Sequence, residues 1–442
     1  MSKKTVKQPT LKSLEKDCSS IDLNKQNQTL LVTSPCPSAM LASAILSRAI
    51  LKLGKRFHIS FSEPVLKVDK VNSIRQKYDS STVIFVGIDI LGTSRIKKGS
   101  SYPIIIGGMS ESEQAESLKI GTDLTLTAVA YTLVKSSVEP ADYDLQLAAG
   151  GALIDNEPEK SAKSATRELV DLAKSANLLE ERKGFRLLGV SLFPLDEVFL
   201  YSTHPYLKDI SGNQKACDSL LNEAEIPVPK LRTSLSDLST SEAQRLTSKL
   251  IPKLDPLLLP RLLGKDYEFL KERESSPIRH LSGIEIIGTT SWIINELGAF
   301  MSILLGDRGR ALRLLLDSHM THHKDVISTI QYLEVGLETD STTSATILKV
   351  NGLRNELLPD IGRITIETGI VDTDRPVALD NSDSFIITWP SPDLSVKEVS
   401  QKILTEGIEL IATSSKSIKI LGDTQEKERG LQIVSEMNKE RG

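Results

Sequence analysis

The chain has 442 residues, of which 39% are hydrophobic and 25% charged, and its formal net charge is -4 at pH 7. This length predicts two or more domains, and the composition is typical of a soluble globular protein. With 58 acidic and 54 basic residues and only 4% aromatic residues, the chain lacks the basic, ring-rich profile of a protein whose whole surface binds nucleic acid.

The N-terminal residues and the cysteines bear on the cellular compartment. Residues 1–8 carry positive charge but no apolar run follows, so no signal peptide is expected, and no stretch reaches the roughly 18 apolar residues of a membrane helix. The three cysteines, Cys18, Cys36 and Cys217, are odd in number and far apart, which argues against a disulfide framework or a zinc knuckle. We therefore expect a cytoplasmic protein without a membrane segment.

Strands alternate with helices in the first part of the chain. Residues 1–27 are polar and are interpreted as a tail or a frayed first helix. Periodicity then predicts strands and helices in alternation at 29–33, 38–52, 57–61, 67–78 and 83–89, with a further strand at 102–109. Strands this apolar are typical of a parallel sheet that is covered on both faces. The pattern predicts an α/β domain with a doubly wound parallel sheet.

The turn between the first strand and the first helix is where such a fold places its chemistry. Turns at the carboxyl edge of a parallel sheet and the N-termini of the following helices commonly bind anionic ligands. Here the turn contains Ser34, Cys36 and Ser38 beside two prolines, with no carboxylate, imidazole, lysine or glycine-rich phosphate loop. The turn therefore lacks the side chains that usually bind a metal ion or a phosphate.

The frame of this turn resembles the first metal-binding motif of the DHH phosphoesterases, the family of RecJ-type exonucleases. That motif reads strand-Thr-His-x-Asp-x-Asp-Gly-helix. The present chain keeps the threonine but has Ser34 in place of the histidine, Cys36 and Ser38 in place of the aspartates, and Ala39 in place of the glycine. The resemblance implies a two-lobed DHH phosphoesterase-like fold from which the ligands of the first motif are missing.

The remaining motifs of the family are partly lost. The resemblance aligns Asp89 and Asp155 with acidic positions of the second and fourth motifs, and both aspartates are vestigial ligand positions. At the Asp-His-His of the third motif the chain has a degenerate sequence, Gly107, Gly108 and Met109. Two carboxylates do not offset the dehydration of a divalent ion, so neither a metal cofactor nor hydrolysis is expected. The alternative to a residual metal role is a helix-capping or turn carboxylate.

The middle of the chain is predicted to be a largely helical linking region. The segment 201–207 and the following helix, 213–225, resemble archaeal RecJ-like proteins, as does a helix that ends in a Leu-Gly-Asp turn at 305–307 before a second helix. Arg308, Arg310 and Arg313 give this turn a local positive charge. They are candidate contacts for single-stranded DNA, and the alternative is a set of solvated helix-end arginines.

Three histidines lie within five residues of one predicted helix. His319, His322 and His323 have the i, i+3 and i+4 spacing that can chelate zinc. No glutamate separates the outer pair, and the family resemblance assigns no metal here. The favoured interpretation is a surface helix end, where imidazoles lie near the negative end of the helix dipole.

The C-terminal part is predicted to be a smaller α/β domain. It has short β-type runs at 345–350, 361–368, 376–379 and 384–388, and then a helix, a strand and a terminal helix at 394–408, 417–421 and 424–440. This order resembles the DHH-associated C-terminal domain, whose Gly-Gly-His segment grips substrate phosphates. Residues 408–421 have neither the glycine pair nor the histidine. The predicted organisation is a polar tail over 1–27, a DHH-like α/β domain over 28–185, a linking region over 186–340 and the C-terminal domain over 341–442.

Some members of the family that this chain resembles have also lost the ligands in both halves of the site. Members stripped of their ligands resemble the nuclease-dead RecJ-like proteins of archaea, which are similar to the cell-division-cycle subunit of the CMG replicative helicase. That subunit joins the MCM ring to GINS. The resemblance implies a replisome-associated scaffold at the nucleoid with GINS and MCM as partners, and with single-stranded DNA as a further contact.

Two other functions stay open at this point. One is a single-strand-specific 5'-3' exonuclease or phosphodiesterase that uses Mn or Mg in an altered site. The other is a regulatory partner of an active DHH nuclease.

Overall fold

The computed structural model describes residues 10–19, 21–25, 28–79, 81–92, 96, 103–107, 116–118, 124–155, 165–335, 339–341 and 344–441. The chain forms two compact units. The first contains Met1–Glu180, Phe269–Lys271 and Phe300–Arg308, and the second contains Glu181–Glu268, Glu272–Ala299 and Gly309–Gly442. Within the described residues, no helix is both long and apolar enough to cross a bilayer.

The first unit is built on a parallel five-stranded sheet with the order β2-β1-β4-β6-β7. The strands of this sheet are β1 (Gln28–Thr33), β2 (Arg56–Phe61), β4 (Thr82–Val86), β6 (Ile104–Ile106) and β7 (Glu116–Leu118). A separate two-stranded sheet consists of β3 (Val65–Lys67) and β5 (Asp89–Leu91). Its helices are α1 (Leu11–Cys18), α2 (Pro37–Lys52), α3 (Val68–Lys77), α4 (Leu126–Ser137), α5 (Asp142–Asp155) and α6 (Ala165–Ser175).

Strand β1 lies inside this sheet and is buried on both faces. Its Leu31 is in register with Ile59 of β2 and Ile84 of β4. Side chains alternate between the faces of a strand, and Leu30 and Val32 share a hydrophobic cluster with Val71 of α3. Helix α2 contacts β1 and β4, and packs in turn against α4 and α5. The predicted doubly wound parallel sheet is confirmed.

Part of the segment interpreted as a polar tail or a frayed first helix forms helix α1. Thr10 caps the helix, and its hydroxyl accepts from the backbone N–H of Ser13 at 3.4 Å. Leu14 and Cys18 are buried, and α1 packs against α4. Burial raises the pKa of the Cys18 thiol to about 12, so this thiol stays protonated and behaves as a core side chain.

The strand predicted over 83–89 is wrong in its second half. β4 ends at Val86, and Gly87 adopts a φ of +68°, a left-handed conformation that glycine accommodates without a Cβ clash. The chain then leaves the main sheet, and Asp89 pairs with Val65 of β3. The apolar run alone did not reveal that a positive-φ glycine divides it into two strands.

The second unit combines helices with a six-stranded mixed sheet whose order is β10-β11-β12-β13-β15-β14. The strands of this sheet are β10 (Thr339–Ser341), β11 (Thr346–Lys349), β12 (Val377–Asn381), β13 (Ser384–Thr388), β14 (Glu409–Ser414) and β15 (Ser417–Leu421). A separate two-stranded sheet consists of β8 (Leu179–Phe185) and β9 (Leu263–Phe269). Its helices are α7 (Leu195–Leu200), α8 (Gln214–Glu223), α9 (Thr240–Leu250), α10 (Leu259–Leu262), α11 (Leu281–Ile293), α12 (Leu297–Leu304, whose second half belongs to the first unit), α13 (Arg310–Val335), α14 (Leu358–Glu367), α15 (Val396–Thr405) and α16 (Thr424–Arg441).

Two hydrophobic clusters organise the second unit. One lies among α7, α8 and α9, and includes Phe199, Leu220 and Leu246. The other joins α13 and α14 to the sheet. The predicted Leu-Gly-Asp turn is present between α12 and α13, and Gly306 within it has a φ of +117°.

Residues 361–368, predicted as a β-type run, lie mostly in helix α14, so that prediction is wrong. The β-branched residues Ile361, Ile364 and Ile366 are all buried. Pro359 occupies the start of the helix, where its missing N–H costs nothing. A short β-branched run is ambiguous from sequence, because burial against a helix and a sheet can hold it in either conformation.

Candidate functional site

The turn that follows β1 is held by the neighbouring strand and by hydroxyl groups. The Ser34 N–H donates to the carbonyl of Val86 at 3.0 Å, which ties the turn to the end of β4. Below it, the hydroxyls of Thr33 and Ser43 are 2.7 Å apart and fully buried. Cys36 precedes Pro37, the first residue of α2, and its Sγ lies 3.7 Å from the Ser38 hydroxyl. These groups satisfy one another or the backbone.

Close packing fills the space beside this turn. A Cβ added to Gly87 would lie 2.8 Å from the Ala39 Cβ, 3.2 Å from the Leu126 side chain and 3.4 Å from the Ser34 Cβ. Ser34 and Ala39 are fully buried, and the Ser34 hydroxyl has no hydrogen-bond partner among the residues that the structure describes. The positions that the family resemblance assigns to a histidine and a glycine are therefore part of a tightly packed core.

The two aspartates that the resemblance aligns with ligand positions, Asp89 and Asp155, lie in different surroundings. Asp89 is buried in β5, and its backbone N–H donates to the Pro64 carbonyl at 2.9 Å. Asp155 is exposed at the last residue of α5. Gly107 follows β6 with a φ of +73°, whereas Gly108 and Met109 lie outside the described residues. In the described part of the chain, no group of three or more His, Cys, Asp or Glu side chains could hold a metal ion.

Arg308 has a structural partner in the first unit. Its Nη2 donates to the Tyr143 hydroxyl at 2.8 Å, and its Nη1 donates to the Ile303 carbonyl. The guanidinium of Arg48 lies 4.8 Å from the same ring and pairs with Asp144 at 2.6 Å. Arg308 thus fixes the end of α12 against α5.

The other two arginines of this cluster lie at the start of α13. Arg310 and Arg313 are exposed. Their role as DNA contacts stays a prediction.

The interpretation of His319, His322 and His323 as a surface helix end is wrong. The three lie in the middle of α13, and their exposed fractions are 0%, 4% and 3%. The ring centroids of His319 and His323 are 5.8 Å apart, and His204 brings a fourth ring to 5.9 Å from His323. The sequence held a signal for this burial, because the histidines continue the stripe of Leu312, Leu315, Val326 and Ile330 at helical spacing.

Asp360 is the centre of a buried polar network that joins this histidine cluster to α14. The carboxylate is 0% exposed, and its Oδ2 lies 2.8 Å from Nε2 of His322. Its Oδ1 accepts from Arg363 at 2.6 Å and lies 3.4 Å from Nε2 of His204. Arg363 also donates to the Thr203 carbonyl at 2.8 Å. No local sequence pattern predicts this network, because its members lie up to 160 residues apart.

The charges of this network explain its protonation. Burial alone would raise the pKa of Asp360, but the Arg363 guanidinium and the hydrogen bond with His322 hold it well below its usual range. Burial lowers the pKa of His319 and of His204, and lowers that of His323 to about 4. At neutral pH the network therefore contains an ionised Asp360–Arg363 pair beside neutral imidazoles of these three histidines.

A cleft of about 430 Å³ opens in the second unit beside this network. Its walls include Arg261, Arg363, Trp389 and Lys416. The Lys416 ammonium donates to the carbonyls of Ser391, Pro392 and Leu394 at 2.7 to 2.8 Å, and burial lowers its pKa to about 8. Lys416 follows β14 in the segment where the family resemblance places a Gly-Gly-His grip. The carbonyls of the neighbouring loop satisfy this cation.

No protein-family model and no curated protein sequence matches the chain. Solved structures do match in fold. CDC45 from Entamoeba histolytica aligns over 97% of this chain and 98% of its own, with 14% identity and a TM-score of 0.62.

Two structures of RecJ also match. RecJ from Thermus thermophilus in complex with Mn²⁺ aligns over 97% of this chain and 55% of its own, with 12% identity and a TM-score of 0.50. A second exonuclease RecJ, bound to manganese, aligns over 98% and 95% of the two chains, with 12% identity and a TM-score of 0.50. At these identities the likeness establishes the fold. The chain has a RecJ-like fold, which it shares with CDC45 from Entamoeba histolytica.

Proposed function

We propose that the chain is a catalytically inactive RecJ-like protein that serves as a scaffold in DNA replication and links GINS to the MCM helicase. The main support for this proposal is the turn after β1, where close packing occupies the space beside the positions that the resemblance assigns to metal ligands. Ser34, Cys36 and Ser38 stand where metal ligands would be needed, and Gly87 and Ala39 pack against each other beside them. A two-metal hydrolase needs several carboxylates and imidazoles around its ions, and this turn provides none.

Similarity to CDC45 over nearly the whole length of both chains supports the scaffold proposal. A protein that keeps a nuclease fold without its ligands retains the rigid surface that partners recognise. In this proposal the protein acts at the replisome on the nucleoid, and Arg310 and Arg313 are candidate contacts to single-stranded DNA because both are exposed.

A second candidate function is a metal-dependent exonuclease with an altered active site. It is favoured by two observations, the similarity to RecJ structures that contain manganese and the retention of Asp89 and Asp155. A regulatory partner of an active DHH nuclease is the third candidate, and it differs from the scaffold only in what it binds.

Affinity purification of the tagged full chain from its native cells separates these functions. We expect GINS and MCM in the eluate and no digestion of labelled single-stranded DNA in the presence of Mn²⁺. Recovery of a DHH nuclease without GINS or MCM would instead support the regulatory role.

Digestion by the purified chain that is lost in Asp155→Ala would overturn the proposal of inactivity. Asp142→Ala, at the opposite end of α5, is the matched control because it removes a carboxylate far from any family motif.

A further inference from the structure

Three polar residues of the second unit lie in a line that the scaffold function does not use, with one hydrogen bond and one ion-pair contact between neighbours. Ser191 Oγ lies 2.6 Å from Nε2 of His280. The other ring nitrogen of His280, Nδ1, lies 3.4 Å from Oδ2 of Asp266. A hydroxyl, an imidazole bonded through Nε2 and a carboxylate at Nδ1 are the three parts of a nucleophilic triad, which recurs on unrelated folds in several chain orders.

Hydrogen bonds from neighbouring residues hold the Asp266 carboxylate in place. It is buried in β9, and its Oδ1 accepts from the backbone N–H of Tyr267 at 2.9 Å. Ser282 donates to both carboxylate oxygens, from its hydroxyl at 2.7 Å and from its N–H at 3.2 Å. Burial would raise the pKa of Asp266, but the bonds from His280 and Ser282 keep it below its usual value. The carboxylate is therefore ionised and fixed beside the ring.

His280 is fixed by the backbone on both sides. It is the residue before α11, and its carbonyl accepts from the N–H of Ile284. A single antiparallel bridge joins it to Glu268 of β9, two residues beyond Asp266. Its side chain is 12% exposed, so the ring is mostly shielded while one edge reaches solvent.

Ser191 is presented by a tight turn. Gly189 has a φ of +76°, and its carbonyl accepts from the N–H groups of Leu192 and Phe193 at 2.9 and 2.8 Å. A Cβ at Gly189 would lie 2.0 Å from the Phe193 ring, so the turn requires glycine. Ser191 is half-buried, and the following Leu192 is 38% exposed. Ser191 is therefore partly accessible to solvent, and an exposed apolar side chain follows it in the chain.

We propose that Ser191, His280 and Asp266 form a second, serine-based acyl-hydrolase site that cleaves small esters with short apolar acyl groups. The Ser191 oxygen attacks the ester carbonyl carbon while its proton moves to Nε2 of His280. The bond to the alcohol then breaks, and Nε2 returns the proton to the departing oxygen. Water repeats the sequence on the acyl-serine and releases the carboxylic acid, so an ester and one water give an acid and an alcohol. Asp266 acts as a positioning residue that holds the ring in the required tautomer.

The test uses the full chain and a fluorophosphonate probe, with the modified peptide identified by mass spectrometry, together with hydrolysis of p-nitrophenyl acetate. We expect an adduct on Ser191 that is absent in Ser191→Ala and forms at least about tenfold more slowly in His280→Gln. Ser248→Ala is the matched control, since that exposed hydroxyl donates to the Gln244 carbonyl on a different helix, and it should label as the parent does.

Asp266→Asn tests the positioning role. Its labelling rate should fall by roughly a hundredfold or more, whereas Asp266→Glu, which keeps the carboxylate, should restore part of that rate. A folded chain that carries no adduct on Ser191, or equal labelling of the parent and His280→Gln, would overturn the triad. These readouts involve no nucleic acid, metal or partner protein, so failure here leaves the scaffold proposal untouched, and the reverse also holds.

Discussion

Asp360 and Gly87 occupy buried or tightly packed positions that few other residue types could fill. Asp360 is an ionised carboxylate without solvent exposure, and it is stable only because Arg363 and two histidines face it. Gly87 occupies a left-handed backbone position with neighbours so close that any side chain would collide. For each residue we predict the effect of a substitution on stability and name a control variant.

Replacing Gly87 by alanine should destabilise the first unit. The new Cβ would meet Ala39 at 2.8 Å and would also strain a φ of +68°. Gly54 is the matched control, because its φ is +67° but nothing lies within 4 Å. We expect Gly54→Ala to cost about 1 kcal/mol from backbone strain, and Gly87→Ala to cost about 2–4 kcal/mol because overpacking adds to it. Urea unfolding of both variants measures the difference, and equal losses would contradict the packed turn.

The buried histidines predict a loss of stability in mild acid. Unfolded histidine titrates near pH 6.5, whereas the pKa of folded His323 is about 4, so in this window the unfolded chain binds a proton that the folded unit does not. The free energy of unfolding should therefore fall with decreasing pH, by about 1.4 kcal/mol per pH unit for each such histidine. Asp360 titrates well below its usual range and adds nothing to this slope in the upper part of the window.

Urea unfolding at a series of pH values between about 7 and 4.5 checks this slope. His323→Gln should reduce it, while His58→Gln, at an exposed position of β2, should not. A slope that is the same in the parent and in His323→Gln would show that His323 is not buried in its neutral form.

At the scale of elements, polar bonds join segments that the hydrophobic clusters leave side by side. Asp360 and Arg363 connect α14 to α13 through His322 and to the segment at Thr203. In the same way the Lys416 ammonium binds three carbonyls of the loop before α15. Such buried bonds define one arrangement of neighbouring elements, because any other arrangement would leave a charge unpaired.

Removing Asp360 should therefore cost far more than removing a surface aspartate. Asp360→Ala leaves Arg363 buried with a reduced set of acceptors, and we expect a loss of about 3–5 kcal/mol. Asp372→Ala is the control, because Asp372 makes a 3.0 Å ion pair with Arg375 at a site where both side chains are about 40% exposed. That variant should lose less than about 1 kcal/mol. Comparable losses in the two variants would contradict the assigned role of the network.

At the scale of the whole molecule, the chain forms two compact units and has a RecJ-like fold. Among the residues that the structure describes, no group of three or more His, Cys, Asp or Glu side chains could hold a metal ion. Metal binding by the intact chain can be tested directly.

We predict that Mn²⁺ leaves the thermal stability of the intact chain unchanged. An ion that binds the folded state at a hundredfold excess over its Kd would stabilise it by about 2.7 kcal/mol, enough to raise the Tm by several degrees. Thermal unfolding of chelator-treated protein with and without about 1 mM Mn²⁺ provides the measurement. A saturable rise in Tm that Asp89→Asn abolishes would instead favour the metal-dependent alternative.

Local pattern determined much of this protein. The apolar run of β1, the helix that follows the turn at Cys36 and the terminal helix all form where periodicity predicts them. A strand or helix that is buried on a fixed face must repeat that face in its sequence. The identity of the residues at the turn also led to the prediction that the ligands of the family it resembles are missing.

Tertiary structure alone decided the rest. Periodicity places His319 and His322 on the apolar face of a helix, but only packing against α14 determined that Asp360 meets this face. Ser191 and His280 are 89 residues apart, and no local pattern links a turn to the start of a distant helix. Side chains that meet across such distances are brought together by the free energy of burying the whole core, which no short segment of the sequence contains.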